Sequence, residues 1–443
     1  MEGQLGLGRD SKTDALMVWK PTILPDLTEK VRSISCGENF TAAILGSLPS
    51  GCDAIPKLHG ASIGASISAS QRRAGIESRT NREMMWRNRV SKEFLEMATG
   101  TRDRVSDRSN REWRRGVPSC LRSEMWPIVI GNAAKVTRHM FEHHGCIAEQ
   151  CLSRARTCLT FLTYPHTHSP TLSLSLSLSR LSHTQAHTHT HTHHTGTSGK
   201  DETFHLNADS IKHISVDIPR TFSRIQEIGV LFETGTGPLH RDLQQILLAF
   251  ALFRQDIGYV QGMTFLAAFL LIHLSSDTFS AFQCFANLML KQHLYTFYSV
   301  RSDDMRKYFD VFDKCASMNM HTLFPRLQDM GIETKLYLYP WLQTVFLKLP
   351  LNVSIMSRIW DGWLLDGTSY LFRISISILK LFETDLNGME LEDALPLLLG
   401  KHSTASMWKD RITEDALFQI LSRVDIPSDV MLKLQELERK SMF

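Results

Sequence analysis

Apolar residues recur at helical spacing through most of the second half of this chain. Leu243, Ile246, Leu247 and Phe250 share one face of a helix that ends between Arg254 and Gly258. Phe265, Leu266, Phe269 and Leu270 mark the next helix. Phe279, Phe282, Phe285 and Met289 mark another, with Ser276 or Asp277 as its cap. Met305, Tyr308, Phe309 and Phe312 follow. Trp341, Val345 and Phe346 read as a helix stopped near Pro350, and Leu371, Ile374, Ile378 and Leu381 form a late amphipathic helix. From Asp201 onward no alternation of period two runs long enough to propose a sheet. The pattern predicts an all-α array of packed helices, with these Phe, Met and Leu stripes as core rather than as a ligand pocket.

The first 46 residues follow a different pattern. Short β-prone runs such as Val31–Cys36 and Thr41–Leu45 are punctuated by Gly and Pro, which predicts strands and turns. Residues 47–85, rich in Ser, Ala, Gly and Arg, read as a flexible linker. The helical domain is expected over 86–420, with Trp113 and Trp126 anchoring its start, and a helical tail over 421–443. A low-complexity insert interrupts the domain at 157–200. It holds Leu-Ser alternation over Leu172–Ser179 and Thr-His alternation over Thr188–His193. The first could pass for a strand by period and the second could bind metal, but a structureless loop fits both better. Such a loop is unusual inside a compact domain, although its closure entropy grows slowly with length.

Composition narrows the function classes. The chain has 443 residues, 43% hydrophobic, enough for a sizeable core and two or three domains. A net charge of +3 gives no argument for nucleic acid. The segment from Trp86 to Arg122 is basic, which could favour an anionic membrane surface. With Glu and Asp interspersed, a solvated helical face is the better reading. The 8 cysteines form no C-x-x-C pair and no secretory signal opens the chain, so a cytoplasmic protein with free thiols is expected. His143, His144, Cys146 and Cys151 fit no common zinc spacing. The apolar runs fall short of the ~20 residues a membrane span needs.

The candidate chemistry lies between Ile214 and Met263. Arg220 stands in Ile214-Ser-Val-Asp217-Ile-Pro-Arg220, and Gln261 stands in Gly258-Tyr259-Val260-Gln261-Gly262-Met263. Hydrolysis of a nucleoside triphosphate needs charge stabilisation at the transferring phosphoryl group and a positioned water. A guanidinium presents a planar, permanently charged fork to phosphate oxygens, and a carboxamide carries the donor and acceptor that hold a water in register. Gly258 and Gly262 permit a tight turn and close approach by a partner. Each motif also has a plainer reading. Arg220 could pair with Asp217 one helical turn earlier, and Gly-Tyr-x-Gln-Gly could be a helix-to-helix turn.

The motifs occur in company. Arg115-Gly116-Val117-Pro118, Arg122 and Trp126 stand upstream, and Arg358-Ile-Trp360-Asp361 stands downstream. From Trp113 to Phe382 this set resembles the TBC family, the helical GTPase-activating proteins of Rab GTPases. Residues 1–46 resemble one repeat of the propeller named after the regulator of chromosome condensation, with Phe40 where histidine is usual. One such repeat cannot bury its two faces, so it is either the end of a longer propeller or a remnant, and exchange-factor activity from it alone is excluded. The TBC resemblance implies that Arg220 is an arginine finger and that Gln261 is a glutamine finger replacing the GTPase's own water-positioning glutamine. Tyr259 would hold the partner's switch region, Asp217 would orient Arg220, and Arg358, Trp360 and Asp361 would buttress the finger loops as scaffold. The partner would be a Rab-family GTPase in its GTP-bound state, which brings the GTP and Mg²⁺, so the chain needs no cofactor or metal of its own. Peripheral membrane association in vesicle traffic follows. Gly131-Asn132 and Gly262–Ala268 look closest to a subgroup linked to autophagy and recycling endosomes. A catalytically silent Rab-binding scaffold is the alternative, and the presence of both fingers favours catalysis.

The chain departs from the family at Ser223, where proline is usual, at the insert, and in its leading repeat. Leu-Ser is what a CT dinucleotide repeat encodes and His-Thr what a CA repeat encodes, so the insert reads as a retained intron or a repeat expansion. Sequencing of mature transcripts is expected to find this segment absent. Its presence in most spliced message would overturn the retained-intron reading.

Overall fold

A computed structural model describes the backbone of residues 31–36, 41–45, 81–163 and 208–439, and the side chains of 81–153 and 209–439. Near the N-terminus, β1 (Val31–Cys36) and β2 (Thr41–Leu45) pair antiparallel, with Ile34 opposite Ala43 and Cys36 opposite Thr41. The two predicted β-runs are thus one hairpin. The rest of the first 46 residues, and of the expected repeat, lies outside the described residues.

The remainder is helical. Among the described residues the helices of eight residues or more are α1 (Ser91–Ala98), α2 (Asp107–Arg114), α3 (Arg122–Ile130), α4 (Arg138–Thr163) and α5 (Ala208–Asp217), followed by α6 (His240–Phe253), α7 (Met263–His273), α8 (Thr278–Leu288), α9 (Ser302–Asn319) and α10 (Thr334–Gln343). The last group is α11 (Val353–Asp366), α12 (Thr368–Leu381), α13 (Leu391–Leu398), α14 (Glu414–Leu421) and α15 (Ser428–Glu438). Helix α7 is apolar nearly all round and buried along its length, as expected of a helix at the centre of a large bundle. It packs between α6 and α8. On another side Phe269 meets Trp360 of α11 with ring centroids 5.0 Å apart. The side chain of Asp277 caps α8 by accepting from the Phe279 N–H, one of the two caps expected.

The element that closes the bundle is a buried carboxylate. Asp361 of α11 is wholly buried. Its Oδ2 accepts from the Val117 N–H at 2.9 Å and from Arg122 Nη2 at 2.9 Å, and its Oδ1 accepts from Trp126 Nε1 at 2.8 Å. Its backbone carbonyl accepts from Trp113 Nε1 at 2.6 Å. Burial pushes the carboxyl up, against the opposing pull of Arg122, Trp126 and the Val117 N–H. Gly116 explains the Arg-Gly-Val-Pro motif. It sits at φ +97°, and a Cβ there would lie 3.4 Å from the Arg358 side chain and 3.6 Å from Asp361 Oδ2. Around this centre Trp126 stacks on Trp360 at 5.5 Å and on His273 at 4.7 Å.

Several expectations change. The helix carrying Trp341 stops at Gln343, because Val345 and Phe346 adopt left-handed backbone (φ 47° and 63°), and the chain reaches Pro350 through turns. Residues 81–85, inside the expected linker, are helical and Trp86 is fully buried, so the helical body includes residues before its predicted edge. Residues 47–80 lie outside the described residues. Helix α4 runs into the expected insert as far as Thr163, and 164–207 lie outside the described residues. The C-terminal segment is no free tail: Val430 and Leu434 of α15 are buried, and Glu438 accepts hydrogen bonds from the Thr368 hydroxyl and N–H. The basic stretch is largely paired within the chain. Arg114 grips Asp366 with two bonds of 2.7 and 2.8 Å, Arg115 pairs with Glu112, and Arg122 is buried against Asp361.

Asp361→Ala would leave Arg122, the Val117 N–H and the Trp126 indole N–H buried without their acceptor, and is expected to cost about 3–5 kcal/mol in urea unfolding. Asp366→Ala, which removes a pair whose arginine is half exposed, is expected to cost no more than about 1 kcal/mol. Equal costs would show that Asp361 is not the constraint described.

Candidate functional site

Arg220 ends a 3₁₀ turn, Ile218–Arg220, that continues directly from α5. Pro219 suits the start of that turn, where no N–H is needed. The turn is pinned on both sides of the arginine. Ile218 is buried before it. After it Phe222 is buried edge-on against Phe265, ring centroids 5.2 Å apart. Phe222 takes left-handed backbone at φ 55°, which bends the chain sharply between Arg220 and Arg224. The Thr221 hydroxyl ties back to the Asp217 carbonyl at 2.9 Å. The Arg220 side chain is exposed and makes no hydrogen bond or ion pair among the described residues.

Gln261 sits in the turn between α6 and α7, exposed, between Tyr259 and Gly262. Gly262 is at φ +104°, and a Cβ there would lie 3.4 Å from Gln343, Thr344 and Tyr298. Glycine is therefore required at the start of α7, and the tight seat fixes where Gln261 projects. Gly258 also has positive φ, +65°, but opens onto free space, so it serves the turn alone.

Tyr259 joins the two turns. Its hydroxyl donates to Asp217 Oδ2 at 2.6 Å. Burial, with Asp217 next in weight, pushes the Tyr259 hydroxyl well up, so it remains a protonated donor. The expected contact from Asp217 to Arg220 is not made, because Asp217 spends its carboxylate on Tyr259. The aspartate fixes the spacing of the two turns and leaves the guanidinium free.

Arg220 and Gln261 open into one cleft of about 480 Å³, with Asp217, Thr264 and Phe265 in its wall. Sequence reasoning missed its remaining charges, Arg224, Lys348 and Lys401. Arg224 Nη1 donates to the Gly400 carbonyl at 2.5 Å. Lys348 lies over the Phe265 ring, its nitrogen 5.8 Å from the centroid. Burial pushes its ammonium down, with Asp217 opposing. A signal for Lys348 was present, since it is the lone charge in the apolar run Val345–Leu351.

Arg358, Trp360 and Asp361 lie apart from this cleft. Arg358 pairs with Glu414 at 3.0 Å and covers the Phe418 ring, bracing α11 against α14. Asp361 holds the 113–126 segment rather than the finger turns. Trp360 reaches those turns through Phe269, whose ring lies 6.2 Å from that of Phe222. Among the described residues no group of three or more His, Cys, Asp or Glu is placed to hold a metal, and no helix is long and apolar enough to cross a membrane.

Comparison with known proteins gives the following. The family model described as the Rab-GTPase-TBC domain matches residues 119–387, and the regulator of chromosome condensation (RCC1) repeat matches 1–44. The chain is 30% identical to mouse TBC1 domain family member 14 over 317 residues, 71% of this chain and 39% of that protein. It is 30% identical to Drainin of Dictyostelium discoideum over 330 residues, 73% of this chain and 70% of that protein. The chain thus spans about two fifths of the mouse relative's length. A crystal structure of the Chlamydomonas flagellar RabGAP TBC domain shares the fold, with 18% identity and a TM-score of 0.50, covering 83% of this chain and 99% of that one.

Tyr259→Phe would leave the half-buried Asp217 carboxylate without its donor. It is expected to lower stability in urea unfolding by about 1–3 kcal/mol. An unchanged midpoint would remove the clamp from the account of the site.

Proposed function

The chain belongs to the Rab-GTPase-TBC domain family, and from that membership we propose that it accelerates GTP hydrolysis by a Rab-family small GTPase, with Arg220 and Gln261 inserted together into the partner's nucleotide site. The observation that carries this reading is that both side chains are exposed on rigid, adjoining turns, open into the same cleft, and are clamped to one another through Tyr259 and Asp217. Arg220 supplies positive charge to the transferring phosphoryl group, and the Gln261 carboxamide orients the attacking water. Ordered turns reduce the entropy lost on docking, so more of the binding energy is available to the transition state. In this reading the GTP and Mg²⁺ are the partner's, the GTP-bound form is the one engaged, and the chain acts where such GTPases act, on the cytoplasmic face of traffic membranes.

The test is GTP hydrolysis across purified Rab proteins with the full chain and with its Arg220→Ala and Gln261→Ala variants. One or a few Rabs should be accelerated by the full chain, and Arg220→Ala should remove most of that acceleration, which for an arginine finger is ~10³–10⁵-fold. Gln261→Ala should also lose most activity while Rab binding persists. Binding without acceleration by the unaltered chain would favour the silent scaffold instead.

A further inference from the structure

The finger cleft carries more positive charge than two-finger chemistry uses. Four cationic side chains line it, Arg220, Arg224, Lys348 and Lys401, against the single carboxylate of Asp217. That carboxylate is engaged by Tyr259, and Arg224 is engaged by the Gly400 carbonyl. Lys348 lies over the ring of Phe265, and neither its amine nor that of Lys401 makes a hydrogen bond or ion pair among the described residues. Lys348 emerges from the left-handed turn at Val345 and Phe346, between the buried side chains of Leu347 and Leu349. Burial outweighs the pull of Asp217 on the half-buried Lys348 ammonium, and that carboxylate is already engaged by Tyr259, so an arriving anion would be attracted there. The floor beneath is apolar, with Phe222, Phe265 and Leu349, and the cleft is larger than one phosphate group requires.

We propose that Lys348 and Lys401 form a recognition site, separate from the two fingers, for a carboxylate-bearing surface segment of the GTPase. This inference rests on the reading of the partner as a small GTPase. The amines select the partner and hasten its docking, and the apolar floor takes the side chains that flank the acid. Charge complementarity of this kind acts on encounter and specificity more than on the chemical step. Lys348 and Lys401 are therefore docking residues, and their loss is read in affinity rather than in turnover.

The experiment measures the affinity of the full chain for Rab proteins loaded with a non-hydrolysable GTP analogue, at low and high salt. Lys348→Met, Lys401→Ala and the double variant are compared with the unaltered chain, and circular dichroism checks each fold. Lys348→Met keeps the apolar stem and Lys348→Arg keeps the charge. The double variant should bind at least ten-fold more weakly with a flatter salt dependence, Lys348→Arg should retain most affinity, and the rate at saturating chain should stay close to that of the unaltered protein. Equal affinity in the double variant overturns the proposal. So does a loss of saturating rate at unchanged affinity, which would place the amines on the phosphates. Because affinity is read without hydrolysis, a chain that binds through these lysines but accelerates nothing would sink the catalytic reading and leave this one standing. Binding to no Rab protein would overturn both.

Discussion

A single buried carboxylate sets the terms for the rest of this domain. Asp361 takes donors from a backbone N–H, an indole and a guanidinium, and its carbonyl takes a second indole. A carboxyl group so deep is tolerated because its oxygens are met by donors, and removal of its side chain strands the Val117 N–H, the Arg122 guanidinium and the Trp126 indole at once. The consequence reaches the finger turns without direct contact. Trp126, Trp360, Phe269 and Phe222 form a continuous aromatic path from the carboxylate to the turn behind Arg220. Close packing makes such a path stiff, so the seat of the arginine is set from the middle of the bundle.

The cleft follows a different logic. Its functional side chains are the ones the fold leaves unspent. The Arg220 side chain has no partner among the described residues, Asp217 having turned to Tyr259, and Gln261 projects because Gly262 is pressed against Gln343, Thr344 and Tyr298. Stability and function are thus divided among neighbours. The tyrosine, the aspartate and the glycine hold the geometry, and the arginine and glutamine remain free for an incoming surface.

Much of this was legible in the sequence. The stripes of α6 to α9 and α12 gave the helices because their apolar period is long and regular. The two finger motifs could be placed because glycine and proline punctuate them. What stayed hidden was hidden for physical reasons. Val345 and Phe346 look helical by composition, and only tertiary packing explains why β-branched and aromatic residues accept left-handed backbone. The alternatives open to Asp217, a guanidinium three residues on or a phenol 42 residues on, cannot be ranked by local spacing. The convergence of 113–126 on Asp361 was visible as a set of motifs but not as a contact, since nothing in the period of a helix reports a partner on another element. Lys348 was the reverse case, an isolated charge in an apolar run whose meaning depends on the cleft it enters.

The Asp361 contacts also bear on how the chain is made. Val117 and Asp361 are 244 residues apart. At ~5–20 residues per second, on the order of tens of seconds separate their emergence from the ribosome. During that interval the Arg122 guanidinium and the indoles of Trp113 and Trp126 lack the Asp361 acceptor, and the first helices cannot reach their final packing. Each added residue between them lengthens this exposed interval in proportion, whereas the closure entropy rises only logarithmically. For this architecture a long internal insertion is therefore more costly to nascent-chain solubility than to the finished fold.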